Sequence, residues 1–194
     1  FIGESPVTLI LGDNIFFSHD FSSIINDALN QSKGAHVFLT NVSNPEDFGV
    51  AEVDKDGKVL SIQEKPEKPN SNLAVTGLYI YDNEVVDIAK ALTPSSRGEL
   101  EITDVNLHYL RQGNLNATTL GRGFTWLDTG THESLISAGE FVKTIEERQG
   151  LKIGCLEEIA FNKKWIEADT LKACIAKYQN SPYGAYLQNL LKKQ

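Results

Sequence analysis

At 194 residues the chain suits one domain, or one domain with an appendage, and is long enough to bury a sizeable core. Its 41% hydrophobic and 23% charged residues exclude a disordered polymer, and no apolar run approaches the roughly 20 residues of a membrane helix. With 18 basic against 26 acidic residues, the net charge of −8 and the lack of a basic stripe argue against binding a nucleic-acid polymer.

The first six residues carry no basic region and no cleavage pattern, so no signal peptide is expected. Residues 7–11 are an apolar run stopped by Gly12-Asp13-Asn14, the pattern of a buried strand. Residues 20–31 place Phe21, Ile24, Ile25, Ala28 and Leu29 on one helical face, with Asp20 at the N-cap position. A second strand over 35–42 then suggests a strand–helix–strand unit with a parallel pair. Strand-like runs follow at 49–53, 59–64 and 73–81, the first two joined by a hairpin turn at Asp54-Lys55-Asp56-Gly57. The segment 65–72 reads as a polar loop punctuated by prolines. Helices are expected at 83–92 and 101–111, strands at 115–120 and 124–127, and a long helix at 132–148.

Beyond Gly150 only helical patterns remain, at 156–165, 168–178 and 183–193, with no internal repeat. The expected layout is an α/β core over 1–150 followed by a helical tail over 151–194. Methionine is absent everywhere, including position 1, and the chain opens beside a strand, which is expected of part of a longer protein. Cys155 and Cys174 form neither a paired-thiol motif nor a zinc spacing, so reduced thiols and a cytoplasmic location are the simplest expectation.

Two carboxylates stand where apolar strands end: Asp13 in L-G-D-N and Asp128 in W-L-D-T-G-T. Ligands of open α/β sheets bind outside the carboxyl ends of strands, and Mg²⁺ typically takes one or two protein carboxylates. Asp also opens turns, and Asp128 or Thr131 can serve as the N-cap of the helix after it. Glu64-Lys65-Pro66 ends another strand, with a cation for phosphate and an acceptor for sugar hydroxyls; Pro66 biases Lys65 towards an extended backbone. An exposed ion pair is the plainer alternative there. Arg97 precedes a helix expected to open on acidic residues with Ser95 or Ser96 as cap; it can fork onto phosphate or pair with a neighbouring carboxylate. Gly121-Arg122-Gly123 is too short for a phosphate loop and reads as a turn. His19, His36, His108 and His132 lack ligand spacing, and no Ser-His-Asp or Cys-His arrangement can be inferred.

The blocks L-G-D-N-I-F-F-S-H-D, F-G-V-A-E-V-D, I-Q-E-K-P, N-L-A-V-T-G-L-Y-I-Y-D, S-S-R-G-E-L-E-I-T-D-V-N and G-R-G-F-T-W-L-D-T-G-T-H-E-S-L run along the chain in one order. Together with the tail I-E-E-R-Q-G-L-K-I-G-C-L-E-E-I-A-F, they resemble the glucose-1-phosphate thymidylyltransferase family. The resemblance implies a Rossmann-like three-layer α/β/α sandwich with a mixed sheet. It also implies Mg²⁺-dependent condensation of dTTP with α-D-glucose 1-phosphate to dTDP-glucose and pyrophosphate, the entry to dTDP-rhamnose and related bacterial surface sugars. On this resemblance Asp13 and Asp128 hold Mg²⁺ with Asn14 beside the first, and Lys65 and Arg97 bind the sugar phosphate. Glu64, Gly49 and Val75 line the sugar pocket, with Thr76, Gly77 and Tyr79 nearby. His19, Arg122, Glu158 and Ile159 fall at a second, regulatory nucleotide site on a subunit interface of a homotetramer.

The family's glycine-rich loop and following lysine, which bind the dTTP phosphates, have no counterpart among these residues. The 194 residues alone are therefore expected to lack turnover. Two other expectations stand beside this one: a uridylyltransferase or other sugar-1-phosphate nucleotidyltransferase, and a non-catalytic sugar-phosphate-binding or assembly module.

Overall fold

The structure is a computed structural model describing residues 1–30, 33–95 and 97–192. Its elements run β1 (Val7–Ile10), β2 (Asn14–Phe17), α1 (Phe21–Leu29), β3 (Ala35–Asn41), β4 (Gly49–Val53), β5 (Val59–Glu64), β6 (Leu73–Tyr81), α2 (Val85–Ala91) and α3 (Ile102–Arg111). They continue with β7 (Leu115–Thr119), β8 (Thr125–Asp128), α4 (His132–Gln149), α5 (Leu156–Asn162), α6 (Ala168–Lys177) and α7 (Pro182–Lys192). The chain forms two compact units, 1–138 and 139–194, divided within α4.

In the first unit β6 is the central strand of a mixed six-stranded sheet in the order β5-β4-β6-β3-β7. β3 covers one edge of β6 antiparallel, while β1 and β4 share the other edge, β1 against Leu78–Tyr81 and β4 against Leu73 and Ala74. Side chains alternate across the sheet, as the two-residue period of a strand requires. Ala35, Val37, Leu39, Tyr79 and Tyr81 face a core completed by Ile88 of α2 and by Val105 and Tyr109 of α3. Phe38, Leu78 and Ile80 face a second core built with Ala28 and Ile24 of α1, Phe16 of β2 and Phe124. The sheet is thus a middle layer between two helical layers, with the β2–β8 ribbon accompanying α1.

Several expectations change. β1 and β3 are not neighbours: β6 is inserted between them, antiparallel to both, and the parallel pair is β3 with β7. Strand β2, four residues paired with β8, was not expected at all. The helix after Arg97 opens only at Ile102, so Glu99 and Glu101 lie ahead of it; Ser95 donates to Glu101 in a turn rather than capping the helix. Lys65 has a left-handed backbone at φ 39° instead of an extended one, because β5 must turn sharply before Pro66 while the Lys65 N–H bonds to the Phe48 carbonyl. The Ser96 cap and the expected helix ends at Gln31 and Lys193 lie outside the described residues.

The second unit packs α5, α6 and α7 around Cys155, Leu171, Ile175 and Leu187. Helix α5 buries none of its own residues fully and is tied to α7 by polar bonds: Tyr183 donates to Glu157, and Tyr186 donates to Glu158 at 2.6 Å. Both cysteines are free thiols. No helix among the described residues is long and apolar enough to cross a membrane.

Candidate active site

The site begins at an interruption in a strand ladder. Between Val37↔Tyr79 and Leu39↔Val75, β6 spends more residues than β3, so Thr76–Leu78 bulge out of register. Thr76 is fully buried and its hydroxyl donates to the Phe38 carbonyl at 2.9 Å, so its side chain serves the bulge and not the site surface. Gly77 is thereby turned to the opposite edge, in the gap between β1 and β4. Its carbonyl accepts from the Leu11 N–H at 2.9 Å, and its N–H donates to Asn14 Oδ1 at 3.0 Å. A Cβ on Gly77 would lie 2.5 Å from Asn14 Oδ1, so only glycine permits this approach.

From there the chain crosses to the ribbon. Asn14 pairs with Asp128 across β2 and β8, which brings Asp13 beside the end of β8. The Asp13 carbonyl accepts both the Thr129 N–H and the Thr129 hydroxyl, each at 2.8 Å. The two carboxylates converge around Gly130: a Cβ there would be 3.0 Å from Asp128 Oδ1 and 3.9 Å from Asp13 Oδ2. Asp13 Oδ1 accepts from Asn14 Nδ2 at 2.9 Å, and Asp128 Oδ1 accepts from the Gly130 N–H at 2.8 Å. Among the described residues no Lys or Arg pairs with either carboxylate. Thr131 caps α4 through the Ser134 N–H, which leaves Asp128 free of that duty.

Glu64 centres a second group. It pairs with Gly49 across β4 and β5, and its Oε2 accepts from Thr103 Oγ1 of α3. A Cβ on Gly49 would meet that Oε2 at 3.2 Å and lie 3.9 Å from Val75 Cβ, so Gly49, Glu64, Thr103 and Val75 share one corner. Tyr79 also borders it: burial first, and then the Glu64 charge, push its phenol above the ordinary value. Arg97 stands among three carboxylates, 3.8 Å from Glu64, 3.1 Å from Glu99 and 3.8 Å from Glu101. Lys65 is exposed, and its ammonium has no carboxylate partner among the described residues.

The two groups are linked twice. Val75 and Gly77 are two residues apart on β6, and the Trp126 ring sits 5.1 Å from that of Phe48, whose carbonyl holds the Lys65 N–H. Sequence reasoning missed Thr103 and Trp126, inside α3 and β8 where packing is the ordinary explanation, and Phe48 and Thr129, apolar or small residues flanking β4 and β8. His19 and Arg122 are exposed and lie beyond the Phe17↔Thr125 end of the ribbon, opposite the carboxylate end; Gly121-Arg122-Gly123 is a turn. Glu158 and Ile159 lie on α5 of the second unit.

A divalent hard cation fits the Asp13–Asp128 pair on the chemistry of the donors. Each carboxylate keeps an oxygen to which no N–H or O–H of the described residues is bonded, and two uncompensated negative charges favour a cation.

The family model described as nucleotidyl transferase matches residues 1–145. The chain is 51% identical to a glucose-1-phosphate thymidylyltransferase of Neisseria meningitidis over 193 residues, covering 100% of this chain and 67% of the relative. It is 52% identical to that of Xanthomonas campestris pv. campestris, covering 65% of the relative. A solved structure of a Bacillus anthracis protein assigned to the same activity, in complex with a sucrose, superposes with a TM-score of 0.64 at 45% identity, over 72% of this chain and 55% of that one. UDP-glucose pyrophosphorylase complexed with UDP-glucose gives a TM-score of 0.58 at 26% identity, over 74% of this chain and 58% of the other. The chain thus spans about two thirds of the length of the curated relatives it matches.

Proposed function

The chain belongs to the nucleotidyl transferase family, with glucose-1-phosphate thymidylyltransferases among its relatives, and from that premise we propose that it forms the sugar-phosphate and cation half of such an enzyme. The reaction is condensation of dTTP with glucose 1-phosphate. A phosphate oxygen of the sugar attacks the α-phosphorus, the bond to the β-phosphate breaks, and pyrophosphate leaves with that electron pair. The observation that carries the reading is the convergence of Asp13 and Asp128 around Gly130 with no cation of the described residues beside them.

Magnesium held by Asp13 and Asp128 would neutralise charge on the reacting phosphates. The remaining work belongs to side chains. Lys65, at a left-handed turn after the end of β5, offers the sugar phosphate an ammonium with no carboxylate partner among the described residues. Arg97 has five donors, and its contacts to Glu64 and Glu101 are long enough to yield to a phosphate while Glu99 keeps hold of it. With Oε2 fixed by Thr103, Glu64 presents Oε1 as an acceptor for sugar hydroxyls. No covalent intermediate is needed, so no side-chain nucleophile is required.

The assay is pyrophosphate release by the protein that carries this chain. The expected outcome is use of dTTP over UTP, with D13N and D128N each lowering turnover about a hundredfold. Preference for UTP would favour the uridylyltransferase reading, whose structural neighbour stands at 26% identity against 51% and 52% for the thymidylyltransferases. Full activity in both variants would remove the cation site. In the same reading the product feeds dTDP-rhamnose synthesis in the cytoplasm and the enzyme is a feedback-regulated homotetramer. Assembly is supported by the exposed Leu156, Ile159 and Trp165 of the second unit, an apolar group unusual on a free surface.

A further inference from the structure

Asn14 is a junction rather than a neighbour of the site. Its Oδ1 accepts two N–H groups, from Gly77 at 3.0 Å and from Trp126 Nε1 at 2.6 Å, and its Nδ2 donates to Asp13 Oδ1 at 2.9 Å. An amide oxygen has two lone pairs, and both are used. Turning the amide over would aim its NH₂ at two donors and its oxygen at a carboxylate, three repulsions in place of three bonds. Gly77 supplies one of the two constraints through the backbone. The other is a single side-chain atom, Trp126 Nε1.

We infer that Trp126 is a positioning residue: through Asn14 its indole N–H fixes the orientation of the Asp13 carboxylate, with one oxygen engaged by the amide and the other left for the cation. This rests on the reading of Asp13 and Asp128 as cation ligands. Trp126 is suited to the task because β8 pairs it with Phe16 across the ribbon and Phe48 packs on its ring at 62°. Its Nε1 is therefore held by the same ladder that places Asp128 two residues further on. Both carboxylates take their orientation from one short strand, Asp128 directly and Asp13 through the indole and the amide.

The test uses Mn²⁺ in place of Mg²⁺, titrated by electron paramagnetic resonance into the protein that carries this chain, with no nucleotide present. W126F keeps a ring for Phe48 and Phe16 but deletes the N–H, and is expected to weaken Mn²⁺ binding about fivefold, the worth of one hydrogen bond. F48L loosens the ring packing but keeps the N–H, and is expected to weaken Mn²⁺ binding less than W126F does. In an N14A background, W126F should add nothing further, since the relay is already cut. In the unmodified protein the indole N–H resonance of Trp126 should move with Mg²⁺ occupancy, a readout that does not depend on any variant folding. If D13N and D128N abolish Mn²⁺ binding while W126F leaves it intact, or the indole resonance stays still, the role of Trp126 is overturned. Should D13N and D128N leave binding intact, the cation reading itself falls and this role with it.

Discussion

His36 shows how much a single buried group can determine. It is 3% exposed on β3, its Nε2 is 2.8 Å from the Thr118 hydroxyl, and its buried Nδ1 has no hydrogen-bond partner among the described residues. Burial holds its pKa below the ordinary 6.5, so the fold favours the neutral ring. Below about pH 6.5 the unfolded chain binds a proton that the folded chain refuses, and stability falls with pH until the folded ring titrates as well. The expected outcome is a melting temperature that drops as pH falls through that window, with a shallower drop in H36Q, measured by scanning calorimetry at matched ionic strength. Asp13 and Asp128 stood out in the sequence as carboxylates ending apolar runs, with turn and cap roles as alternatives, while Lys65 and Arg97 took their expected roles from the family resemblance. Thr103 and Trp126 did not stand out, since a threonine on a helix face or a tryptophan in a strand is ordinarily core. What gives them roles is a partner distant in sequence, Glu64 for one and Asn14 for the other.

The bulge in β6 is the element on which the site depends. Thr76 satisfies the Phe38 carbonyl that the bulge would otherwise strand, and Gly77 reaches Asn14 only because the ladder is broken there. In T76V that carbonyl is left buried and unpaired, at a cost of about 1–3 kcal/mol. Urea denaturation should register this cost, together with faster hydrogen exchange at the Gly77 amide. Strands β3 to β6 lie close to the sequence expectation because apolar runs punctuated by Gly, Pro and Asp leave little choice. Two features were hidden for physical reasons. The four-residue ribbon of β2 and β8 is too short for alternation to stand out. The expected parallel neighbours β1 and β3 are separated by β6, a strand that comes from more than 30 residues downstream, a tertiary choice no local pattern records.

For the whole molecule, family resemblance carried further than periodicity did. The sandwich and the blocks that meet at the site followed from ordered motifs, whereas local patterns left the sheet order open. Since the 194 residues contain no glycine-rich nucleotide loop, the chain by itself is expected to show no dTTP-dependent pyrophosphate release. Measurable turnover by these residues alone would contradict that. The path of the chain between its two sheets has a mechanical consequence. Ile10 is the last residue of β1 and Asn14 the first of β2, so Leu11, Gly12 and Asp13 form a three-residue tether between the large sheet and the ribbon, with the Leu11 N–H bonded to the Gly77 carbonyl. Sliding or tilting of the ribbon against the large sheet would load that tether together with the Gly77 bonds and the segment joining β7 to β8, and the tether's last link is a carboxylate of the proposed cation site. The seating of the ribbon on the sheet and the position of the Asp13 carboxylate are thereby coupled through three residues of backbone.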